Sequence, residues 1–119
     1  MRLANIVECV VIDPRKLTDY ALDPDSPWGH HKATVFKVLL GFTRENYADL
    51  LVQIKEKALQ GEAIFHSEDE FGQRYSVDLL IQGTGGQEAI VRTGWLVLPD
   101  AREARLVTLY VKKSWPVRG

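Results

Sequence analysis

Two alternating runs flank Gly83-Thr84-Gly85-Gly86, and they restrict the fold of this chain more than any other feature. From Arg74 to Gln82, the apolar residues Tyr75, Val77, Leu79 and Ile81 occupy every second position. A return run from Gln87 to Leu98 follows the glycines and stops at Pro99-Asp100. A period of two on both sides of a glycine-rich turn predicts an antiparallel hairpin. Leu106 to Val111 reads as one more strand beside it.

The N-terminal half has a different period. His30 to Leu40 places Ala33, Phe36 and Leu40 on one stripe, flanked by Val35 and Leu39, with Gly41 as the stop. A second helix is predicted after Thr43 as N-cap, with Tyr47, Leu50, Leu51, Ile54 and Ala58 at helical spacing and Gly61 at its end. Leu17 to Leu22 predicts one short helical turn. Pro24 and Pro27 then exclude regular structure from Asp23 to Gly29. The β-branched run Leu3 to Ile12 reads as a strand, and the polar stretch His66 to Gln73 as a loop.

Helices first and strands after them predict an α+β fold. Two N-terminal-half helices, over residues 30–60, should cover one face of an antiparallel meander sheet of about four strands over residues 74–111. The strand at 1–12 joins at a position the sequence leaves open. The 119 residues are read as a single domain, 1–119, and 45% hydrophobic content suffices for one core.

The chain has 15 basic and 16 acidic side chains, so its net charge is -1. That balance excludes a globally basic nucleic-acid binder and leaves room for a local basic site. Cys9 is the lone cysteine, which excludes an internal disulfide, and its apolar surroundings predict a buried, inert thiol. No run approaches the ~20 apolar residues of a membrane span, so no membrane partner is expected. The N-terminal residues lack a signal-peptide pattern. A cytoplasmic location is the expectation these features support. No cofactor and no metal are expected, because adjacent His30 and His31 cannot both address one ion and His66 stands far from them in sequence.

Two polar clusters disagree with the pattern. His30-His31-Lys32 begins a helix, where positive charge is unfavourable, and Lys32 lies in line with Phe36 and Leu39 at the rim of the core stripe. Such a group reads either as a solvated first turn with Lys32 snorkelling, or as an anion site made of helix N–H groups, an ammonium and an imidazole. Arg92-Thr93 lies in the middle of the longest strand. If Ile81 faces Gln87, Ser76, Asp78, Ile90 and Arg92 share the face away from the helices. Arg92 then reads as a cross-strand partner of Asp78, or as a guanidinium that stabilises a pentavalent phosphate. Thr108 and Tyr110 alternate onto one face of the last strand. Trp28, Trp95 and Trp115 read as packing groups or as stacking surfaces for a base.

The runs KLTDYALDPDSPWGHHKATVFKVLLGFTRENY, GQRYSVDLLIQG, VRTGWLVLP and RLVTLYV together resemble a family of small uncharacterised bacterial domains, across Leu17 to Val111. Their helix-then-sheet layout, with a basic residue near a helix start and an Arg-Thr strand, is similar to the barnase, EndoU, colicin and RelE group of ribonuclease toxins. The resemblance implies a metal-independent ribonuclease that cleaves by general acid–base chemistry through attack of the 2′-hydroxyl. On this sequence it implies Lys32, His31, Arg92, Thr93 and Thr108 as catalytic residues, with His30, Tyr110 and Trp95 binding substrate. It further implies a toxin–antitoxin or immunity pair, with a small cognate protein partner and RNA as substrate. The extra run Leu3 to Ile12 could pair two copies as a homodimer. Two other readings stay open: a non-catalytic binding module that is itself the antitoxin or immunity partner, and a domain acting on another anionic substrate such as a nucleotide.

Overall fold

A computed structural model describes residues 1–27 and 29–112. Five strands form one sheet: β1 (Cys9–Val11), β2 (Ala63–Asp69), β3 (Gly72–Gln82), β4 (Glu88–Val97) and β5 (Glu103–Val111), in the order β1-β5-β4-β3-β2. All neighbours are antiparallel except β1, which runs parallel to β5 at the edge. Helices α1 (His30–Leu40) and α2 (Tyr47–Lys57) come from the N-terminal half and pack on one face. The α+β expectation is therefore met, with five strands instead of about four.

Local chemistry explains both helix boundaries. Gly41 adopts φ 78°, and its N–H bonds the Lys37 carbonyl, so α1 ends in a left-handed residue. Thr43 Oγ1 accepts from the Glu45 N–H at 3.3 Å and starts the turn that leads into α2. One core joins the layers: Phe36, Leu40, Leu50 and Ile54 from the helices meet Val77, Ile81, Val91 and Leu109 from the sheet. The short helical turn also forms, as a π-helical turn over Leu17–Ala21 that buries Leu17 and Ala21.

Three expectations are corrected. Leu3 to Ile12 is not one strand: Leu3–Asn5 is a 3-10 turn, and only Cys9–Val11 pairs. Leu3 and Val7 stand four apart, both are buried, and the Val7 N–H bonds the Leu3 carbonyl, which is helical and not alternating burial. Cys9 is exposed, because β1 is a three-residue edge strand. The stretch from His66 is not a loop but the outer part of β2, hairpinned to β3 through Glu70-Phe71. Only Ala63 of β2 is buried, so this strand carries no apolar alternation to be read.

The β3–β4 register sets Ile81 opposite Ala89 and Val77 opposite Thr93, two residues from the expected pairing. A shift of two keeps every side chain on its face. Ser76, Asp78, Ile90 and Arg92 thus share the face away from the helices, as expected.

Candidate functional site

The site grows from a gap in the edge pairing of β5. Strand β1 covers only Glu103 to Arg105, and the rest of β5 meets the π-helical turn and the start of α1. Lys32, in the first turn of α1, reaches across this edge. Its Nζ donates to Thr108 Oγ1 at 3.0 Å and to the Tyr20 hydroxyl. The ammonium stands 4.6 Å from the Tyr20 ring centroid and 5.5 Å from that of Tyr110, within cation–π range. Burial pushes the Tyr20 phenol up, but its hydrogen bonds with Lys32 and Thr108 and the Lys32 charge outweigh it and hold the phenol below its usual value.

Register then carries the site across the sheet. Asp78, Arg92 and Tyr110 stand in one row, and Ser76, Gly94 and Thr108 in the next, all on the face away from the helices. Arg92 makes a bidentate pair with Asp78, at 2.8 and 3.0 Å, and Lys112 approaches the same carboxylate at 3.2 Å. The Asp78 carboxylate, against the effect of burial and with help from the Tyr110 hydroxyl, holds the Arg92 guanidinium above its usual range. Arg92 in turn leads the groups that hold Asp78 below the usual carboxylate value, with burial opposing and Lys112 assisting. A cavity of about 340 Å³ opens here, lined among others by His66, Ser76, Arg92, Thr108 and Tyr110. A neighbouring one of about 300 Å³ is lined by His31, Lys32, Val35, Tyr110 and Val111. Tyr110 borders both, with Lys32 on one side of it and Arg92 on the other. Arg74, Arg92, Lys112 and Lys32 gather there in a chain of net charge -1.

The expected residues divide into three groups. Lys32, Thr108 and Tyr110 come together, with His31 lining the cavity on the Lys32 side of Tyr110 and Arg92 the cavity on its other side. His30 turns away: its ring Nδ1 donates to the Ser26 carbonyl at 3.0 Å, and its ring is tilted 41° to that of His31, with centroids 4.0 Å apart. Thr93 and Trp95 point into the core with no exposed surface. There the Trp95 Nε1–H donates to Thr93 Oγ1, which donates to the Val77 carbonyl, both at 2.7 Å. Trp28 and Trp115 lie outside the described residues. Sequence reasoning missed Tyr20 and His66. Tyr20 had one signal, an aromatic between the core positions Leu17 and Ala21. His66 was hidden with the rest of β2. Among the described residues, no cluster of three or more His, Cys, Asp or Glu could hold a metal. No helix there is long and apolar enough to cross a membrane.

A family model described as a domain of unknown function, DUF6883, matches residues 2–113. The chain belongs to this family. No curated protein matches it. In fold, the DUF6883 domain is similar to a chain of a contact-dependent growth inhibition toxin–immunity protein complex from Klebsiella pneumoniae 342. The TM-score is 0.66 at 15% identity, over 92% of this chain and 96% of that one.

The Asp78–Arg92 pair gives the first test. Asp78 has a depressed value in the folded protein, so its contribution is present above the ordinary carboxylate value of 3.8 and fades as pH falls through the lower folded value. Both side chains are about one-third exposed, so the pair is worth about 1 kcal/mol or less. Asp78→Asn should lower the urea midpoint at neutral pH, and the difference from wild type should close in acid below the carboxylate range.

Proposed function

We propose that this DUF6883 domain is the toxic half of a toxin–immunity pair, a metal-independent endoribonuclease acting on cytoplasmic RNA. The observation that carries the reading is the approach of Lys32 and Arg92 to Tyr110 from two sides, at the sheet face away from the helices. Two cations beside hydroxyl groups suit the pentavalent phosphate formed when a 2′-hydroxyl attacks its own 3′-phosphodiester. His31 stands beside Lys32 as the group that exchanges a proton. The fold likeness to a chain of a toxin–immunity complex supports a small cognate protein partner.

One observation favours the other reading, a non-catalytic immunity or binding partner. Arg92 is engaged by Asp78, and Lys32 by Tyr20 and Thr108, so both cations already have partners within the chain.

Expression of the chain without a partner separates the two. The toxin reading expects growth arrest, with EDTA-resistant RNA cleavage by the purified domain that leaves 2′,3′-cyclic phosphate ends. Harmless expression together with intact RNA would overturn it in favour of the binding partner.

A further inference from the structure

A bulge in β2 brings another imidazole to the cavity that Arg92 lines. The β2–β3 register shifts between Phe65 and Ser67, so His66 is the extra residue of a β-bulge. Bulges re-aim side chains, and they recur beside active sites. Here the bulge directs His66 onto the sheet face away from the helices. Its Nε2 lies 2.8 Å from the Oγ of Ser76, a residue that is itself 6% exposed. The ring is thereby held from the sheet side, and it lines the same cavity as Arg92, Thr108 and Tyr110.

What separates His66 from Lys32 is a glycine. Ser76, Gly94 and Thr108 form one row across β3, β4 and β5. His66 is bonded to the first of them and Lys32 to the last. Neighbouring strands are about 4.8 Å apart, so the two walls of this row stand about 10 Å apart. Gly94 puts no side chain between them, and a Cβ built there would come within 2.8 Å of Thr108 Cγ2. The middle of the row is the Gly94 backbone, bordered by the Thr108 methyl group. Arg92 and Tyr110 close it from the adjacent row.

We propose that His66 is the general base of this site, facing Lys32 across Gly94. The assignment rests on the ribonuclease reading above and deepens it. A phosphodiester over Gly94 has the His66 imidazole on one side and the Lys32 ammonium on the other, with Arg92 in the adjacent row. That suits in-line displacement, in which the entering and leaving oxygens lie on opposite sides of phosphorus. His66 takes the proton of the 2′-hydroxyl as the 2′-oxygen bonds to phosphorus. The bond from phosphorus to the 5′-oxygen then breaks, and the leaving oxygen takes a proton from His31, which lines the Lys32 side of Tyr110. The products are a 2′,3′-cyclic phosphate and a 5′-hydroxyl. His66 returns its proton to water and His31 regains one, so atoms and charge balance.

The test is the pH–rate profile of His66→Gln, which keeps a hydrogen-bonding group for Ser76, with His66→Ala alongside. Both variants should lose about 10²- to 10⁴-fold in kcat. Both should also lose the acidic limb of the profile, because a base works only when deprotonated. Affinity for an oligoribonucleotide made uncleavable by one 2′-deoxy position should stay within a few-fold of wild type. Wild-type kcat in His66→Gln, or a slow variant that keeps the acidic limb, overturns His66 as the base and leaves the ribonuclease reading standing. A wild-type domain that cleaves no RNA removes the ribonuclease reading itself, and this assignment with it.

Discussion

Lys32→Met should lower RNA cleavage by about 10²- to 10³-fold and relieve growth arrest, with the fold intact. Methionine keeps the apolar stem along the rim of the core and removes only the ammonium. The Tyr20 and Thr108 hydroxyls remain 3.4 Å apart and can bond each other. Cleavage reads the loss of a charge beside the phosphate. Tyr20 supplies a readout that does not depend on catalysis. Its phenol is held below the usual value against burial by the hydrogen bonds to Lys32 and Thr108 and by the Lys32 charge. Lys32→Met removes a hydrogen bond and a charge that hold the phenol down, so it should titrate at higher pH than in the wild type, as ultraviolet absorbance of phenolate measures. A variant that moves the Tyr20 titration and leaves cleavage at the wild-type rate would place Lys32 in the structure and outside the chemistry. Unchanged Tyr20 titration would contradict the contact itself.

The largest loss of stability is expected at Trp95. The ring has no exposed surface and sits at the centre of the sheet's core face. Trp95→Ala should cost about 3–5 kcal/mol, through lost burial and the cavity left behind. Thr93→Val separates packing from hydrogen bonding. Its volume is nearly unchanged, but the Trp95 Nε1–H loses its acceptor and the Val77 carbonyl loses a donor. An unsatisfied buried polar group costs about 1–3 kcal/mol. Urea unfolding should show both losses. Cleavage by the folded fraction of Thr93→Val should stay near the wild-type rate, since Thr93 points away from the cleft. A large fall in kcat at full folding would show that Thr93 takes part in the chemistry after all.

This contrast bears on the Arg-Thr pair that stood out in the strand. Adjacent residues of a strand point to opposite faces. Arg92 therefore meets Asp78 on the open face, while Thr93 is locked beneath it in the core. A sequence pair suggests one shared role, and the pleat of a strand divides it into two.

The helical pair and the central hairpin were legible in the sequence because their signals are local. Apolar spacing, Gly41 after α1, Thr43 before α2 and the alternation on either side of Gly83 to Gly86 each need only neighbouring residues. The face that carries Arg92 was legible for the same reason, since parity along a strand survives a two-residue slip in register. Lys32 was legible as a cation misplaced at a helix start, though not the direction in which it reaches. Tertiary structure alone decided the rest. Strand β2 is an edge strand that buries only Ala63, so no alternation of burial marks its outer part as a strand or His66 as part of a site. The partnership of Lys32 with Tyr20 and Thr108 spans 12 and 76 residues of chain. It exists because β1 is too short to cover the edge of β5, and no local pattern encodes the length of another strand's pairing. The two polar clusters of the sequence approach Tyr110 from two sides only through the row that sets it beside Arg92. Periodicity assigns a side chain to a face, and only the pairing of distant strands decides which side chains meet there.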